Sequence, residues 1–170
     1  SKHALEVRND NFNGLPACPF AKKAWKDNKV TVIFKDSDHY QDVYTAISTF
    51  TDVYDLVIVA DTYYKPLEEF HSYLDELNEA IAKGFFIQKD VWLMGFHPEE
   101  EQEPVFEEDF EALTDTVYAM IFVQRLSKLQ ESAEKLEKQG YYNYFDKEFS
   151  SKQLYNRRKS FYRRLKNGNI

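Results

Sequence analysis

Residues 55–60 read DLVIVA. Five of the six are apolar in an unbroken run, the pattern of a strand buried on both faces, as in a parallel sheet. Upstream, residues 30–35 (VTVIFK) are β-branched and aromatic and read as a strand. Downstream, residues 90–96 (DVWLMGF) read as a third. Helical periods lie between them. Asp38 and Gln41 make a capping pair that opens a helix striped by Tyr40, Val43, Tyr44 and Ile47. Pro66 suits the first turn of the next helix, where Leu67, Phe70, Leu74, Leu77 and Ile81 recur at steps of 3, 4, 3 and 4. Gly84 fits its stop. Tyr118, Phe122, Leu126, Leu129, Ala133 and Leu136 mark a long third helix, ended by Gly140. Residues 151–166 read as a last, basic helix.

Strands alternating with helices predict an α/β fold: a small, mostly parallel sheet of three strands or slightly more, with packed helices and a C-terminal basic helix. A ferredoxin-like α+β fold is the alternative, but its second hairpin partner strand is missing from this reading. No Pro/Gly/Ser linker interrupts residues 15–140. We therefore expect one α/β domain over 15–140, followed by a basic, Tyr-rich helical appendage over 141–170.

The 170 residues make about one domain. Hydrophobic residues at 43% are too many for a disordered chain. No apolar run approaches the ~18 residues of a membrane helix, and the opening SKHALEVRND lacks the apolar core of a secretory signal. A single cysteine forbids an internal disulfide, so a cytoplasmic location is the expectation.

Charge is uneven. Residues 147–170 hold eight Lys/Arg and one acid, a net +7, while residues 1–146 hold 14 bases and 28 acids, a net −14. The tail could bind phosphates of nucleic acid. The residues favour the nearer partner, the acidic body of its own chain, through Arg157, Arg163 and Arg164. From Glu99 to Glu111 there are eight acids and no base. They lack the spacing and turn glycine of a calcium loop, and read as a solvated loop.

Two residues stand out chemically. Cys18, in ACPFAKKAW, precedes Pro19, which suits the first helical position. A thiol capping that helix meets free N–H groups and the lysines Lys22 and Lys23, which favour thiolate. Its plain alternative is a small buried hydrophobe. His97 follows the third strand in MGFHP. In a parallel sheet it would share the carboxyl rim with Asp36 and Asp61, where ligands bind, as general base or metal ligand. Its alternative is a ring satisfied by backbone. Arg125 interrupts the apolar stretch 117–126 and calls for a carboxylate, from the protein or a substrate.

CPFAKKAW, FHSYLDELNEAI, FHP and TDTVYAMIFVQRL occur in that order. Together they resemble a bacterial family, domain of unknown function 1415, over about residues 15–130. The matching positions are Cys18, Pro19, Phe20, Ala21 and Lys22; Phe96, His97 and Pro98; and Thr114, Tyr118, Met120 and Arg125. The family's Asn-Arg-Ser-Pro stretch is shortened to Asp115, Thr116 and Val117, and its helix histidine is Phe122 here. The resemblance implies no reaction, but it joins Cys18, His97, Tyr118 and Arg125 into one constellation.

Two readings follow. In the first, the chain is a small-molecule enzyme. Cys18 and His97 are catalytic, Arg125 and Tyr118 bind an anionic substrate, and a transition metal (zinc, copper or iron) sits on Cys18, His97 and Asp61. In the second, the chain is a non-catalytic binding or scaffold protein, whose basic tail contacts nucleic acid or a protein partner. Nucleic acid is the less favoured partner, and no membrane is expected.

Overall fold

The structure, a computed structural model, describes residues 19–35, 37, 41–86, 89–99, 118–140 and 150–167. In chain order the elements are α1 (Pro19–Lys26), β1 (Val30–Lys35), α2 (Gln41–Ser48), β2 (Leu56–Asp61), α3 (Leu67–Ala82), β3 (Val91–Phe96), β4 (Ala119–Arg125), α4 (Leu126–Lys138) and α5 (Ser150–Lys166). The helix starting at Pro19 and all three expected strands form close to where the sequence placed them.

The sheet itself corrects the expectation of a mostly parallel, three-stranded one. Among the described residues it has four strands in the order β1-β2-β4-β3. Only β1 and β2 pair in parallel, and β4 runs antiparallel to both its neighbours. The strand the sequence reading missed is β4, which the spacing predicts as helix. Ala119, Ile121 and Val123 bury completely on one face, while Met120, Phe122 and Gln124 fill the other. A strand apolar on both faces loses its polar alternation, and Tyr118, Phe122 and Leu126 fall four apart. The ferredoxin-like alternative fails too, because the order among the described residues, α-β-α-β-α-β-β-α-α, does not contain β-α-β-β-α-β.

Helix α4 starts without a turn after β4, and its start carries no sequence signal. The preceding Arg125 makes no side-chain cap. Asp90 does the work from the start of β3: its carboxylate accepts the Ser127 N–H at 3.0 Å and the Ser127 hydroxyl, and its C=O accepts the Leu126 N–H at 2.8 Å. At the end of α3, Gly84 adopts φ 101°, and the Phe85 N–H reaches back to the Ala80 C=O at 3.0 Å. This is the 6→1 bond of a Schellman stop.

One face of the sheet carries Val57, Val59, Val91, Leu93, Ile121 and Val123 and packs against α2 (Val43, Ile47) and α3 (Phe70, Leu74, Leu77, Ile81). Gly95 lets α3 come close, since a Cβ there would meet Leu74 and lie 2.5 Å from Phe70 Cε1. Asn78 of α3 binds the β3 backbone twice, donating to the Leu93 C=O at 2.9 Å and accepting the Leu93 N–H at 3.0 Å. The other face is covered at one end by Leu126 and Leu129 of α4 and Phe161 of α5, gathered on Trp92.

The tail helix is held by more than surface charge. Phe161 is 4% exposed, and its ring lies 5.3 Å from that of Trp92. Around it, Arg157 binds Asp75 at 2.7 Å with Glu79 at 3.9 Å, and Lys159 meets Glu137 at 3.4 Å. Arg158 is buried, and Arg164 lies 4.4 Å over the Phe161 ring. A hydrogen bond to Tyr162 raises the Lys166 ammonium above the ordinary lysine range.

Candidate functional site

Because β4 opposes both β2 and β3, the strands β1, β2 and β3 point the same way. Their carboxyl ends share one rim, as the sequence reading expected. Lys35 and Asp61 are directly opposite in the parallel register, so both side chains fall on the α2/α3 face. Each side chain is 1% exposed, with Lys35 Nζ 3.0 Å from Asp61 Oδ1. The same oxygen accepts the Tyr63 N–H at 2.8 Å. Oδ2 is buried with no hydrogen-bond partner among the described residues. The signal for this pair lay in the sequence: opposite charges close two apolar strands at matching places.

His97 sits at the same rim, 5% exposed. Its Nδ1 accepts the Glu99 N–H at 3.1 Å, which places the ring proton on Nε2, 2.8 Å from the Lys65 C=O. Tyr64 meets the ring edge-on at 4.9 Å, and Phe70 packs at 5.3 Å. The imidazole ties the loop after β2 to the loop after β3. Its acceptor lone pair is occupied and its N–H is committed to backbone, so it offers neither a general base nor a metal ligand.

This overturns the enzyme reading built on Cys18 and His97. Cys18, like Asp36 and most of the acidic run, lies outside the described residues. Among the described residues no group of three His, Cys, Asp or Glu could hold a metal ion. The expected zinc, copper or iron on Cys18, His97 and Asp61 is therefore dropped, and the metal-binding reading with it. Asp61 already neutralises Lys35, and His97 is bonded through both nitrogens.

The structure does not gather the rest of the constellation. Tyr118 lies at the rim, just before β4, with its ring 6.0 Å from that of Phe34 and nearly perpendicular to it. Arg125 is at the far end of β4, five residues beyond Met120, which pairs with Phe96. At ~3.4 Å per residue that is about 17 Å from the His97 end. There Arg125 donates to the Thr51 C=O at 2.9 Å, pairs with Asp52 at 3.0 Å and stacks over Phe50 at 5.0 Å. It clamps the turn between α2 and β2.

What the structure opens instead is apolar. On the sheet face opposite α2 and α3, two rows cross all four strands. One is Val32, Ile58, Phe122 and Met94; the other is Phe34, Ala60, Met120 and Phe96. Val32 is 46% and Phe34 65% exposed, and every other member except Ala60 is half-buried. Sequence reasoning missed these rows because an alternating edge strand and a fully buried one look alike when both faces are apolar. Among the described residues no helix is long and apolar enough to cross a membrane. No family model, curated protein or solved structure matches the chain.

Proposed function

We propose that the chain is a protein-binding module that recognises an extended segment through β1 and the apolar rows beginning on it. The exposure of Val32 and Phe34 carries this reading. Large apolar side chains left open on a strand at the sheet edge are the usual mark of strand addition. The tail is the weaker candidate for binding, because Arg157 and Lys159 already meet the acids of α3 and α4. That also weighs against nucleic acid, whose affinity needs free cations. We place the module in the cytoplasm, which the single cysteine supports. The four ordered sequence blocks still support a distant kinship with domain of unknown function 1415.

Panning a random peptide library against the immobilised chain tests this reading. The wild type should enrich extended apolar peptides, and Phe34→Glu should not. Equal enrichment on both proteins, or none on either, would overturn it.

A further inference from the structure

The two edges of the sheet differ. At β3 the outward N–H and C=O of Leu93 are both taken by the Asn78 side chain. At β1 the Lys29 C=O turns inward, accepting the N–H groups of Asp55 and Leu56 at 2.9 and 3.2 Å. Backbone groups alternate along a strand, so those of Val30, Val32 and Phe34 turn outward. Among the described residues nothing pairs with them. The strand holds no proline, and its one charge, Lys35, is drawn away into Asp61, so two of the usual protections of an edge are missing.

We infer that β1 pairs with β1 of a second copy of the chain, antiparallel, to give a continuous eight-stranded sheet. This rests on the protein-binding reading above and names the partner. A two-fold axis normal to the sheet keeps like faces together, which restricts the register. We centre that axis on Ile33. It places Val32 opposite Phe34 of the partner subunit, and the reverse, so two aromatic–β-branched pairs form on the exposed face. Each of these pairs exchanges two backbone hydrogen bonds through outward-turned groups, and Ile33 meets its own copy on the other face. The two apolar rows then run on into those of the second subunit.

Sedimentation equilibrium of the full chain tests this. The wild type should sediment as a dimer of its 20.2 kDa mass. Val32→Pro removes only an outward N–H and leaves the β1–β2 bonds in place. It should weaken dimerisation at least about tenfold. Phe34→Lys should do the same, and serves if the proline variant does not fold. A wild type that stays monomeric up to about 100 µM, or a dimer that neither folded variant weakens, would overturn the inference. If the monomer still enriches extended peptides, the protein-binding reading survives and only the second copy is lost. If it enriches none, both fall.

Discussion

Replacing Lys35 with methionine removes one half of a buried ion pair while keeping the length of the side chain. The Asp61 carboxylate would then remain in a site where it is 1% exposed. The Tyr63 N–H would still bind its first oxygen, and its second oxygen already has no partner among the described residues. Removing one partner of such a pair typically costs ~3–5 kcal/mol, because a charge is left buried and uncompensated. For a chain of this size that corresponds to a drop of roughly 6–20 °C in Tm. The double variant Lys35→Met/Asp61→Asn removes the stranded charge and keeps an acceptor for the Tyr63 N–H. It should recover most of the loss, since well-packed neutral replacements of buried ion pairs are often near neutral. The assay is urea unfolding followed by tryptophan fluorescence, with buried Trp92 as reporter. A single variant that loses less than about 1 kcal/mol would show that the pair is solvated. A double variant as unstable as the single one would show that packing, not charge, dominates at the rim.

Phe161→Ala should cost ~3–5 kcal/mol, the range for truncating a buried aromatic, and should expose Trp92, read as a red shift of its emission. This places α5 among the stabilising elements, whereas a tail held by surface ion pairs alone would lose ~0–1 kcal/mol. His97→Phe keeps the ring contacts with Tyr64 and Phe70 but leaves the Lys65 C=O and the Glu99 N–H without their partner. A loss of ~1–3 kcal/mol in thermal unfolding is expected, with no change in zinc uptake by calorimetry; zinc binding that disappears in this variant would restore the metal reading.

The parts of the fold that read correctly are those whose signals are local. The 3-4-3-4 stripe of α3 and its stop at Gly84 are written in consecutive residues, and so are the β-branched runs of β1 and β2. The errors lie where the cause is distant in the chain. β4 reads as helix because both its faces are apolar, and its strand partners lie far away in sequence. The start of α4 is invisible because its cap, Asp90, comes from the residue just ahead of β3. His97 shows the same limit at the site. Its place at the carboxyl rim was legible from FHP after a strand, but the fate of its nitrogens depends on Lys65, 32 residues earlier. Arg125 read correctly as a residue in need of a carboxylate. That the partner is Asp52, and that the pair lies a full strand length from His97, follows only from the antiparallel course of β4.

The side chain of Asn78 has a consequence for how large this sheet can become. By occupying both outward backbone groups of Leu93, it acts as a terminator at one border, leaving the opposite border as the place where strands can be added. A sheet with two open borders can lengthen without limit, as fibrils do. With one border blocked at its centre by a primary amide, the β1 pairing inferred above would stop after a single joining event and give point symmetry instead of translational repeat. One amide in a helix thus separates a finite assembly from an endless one.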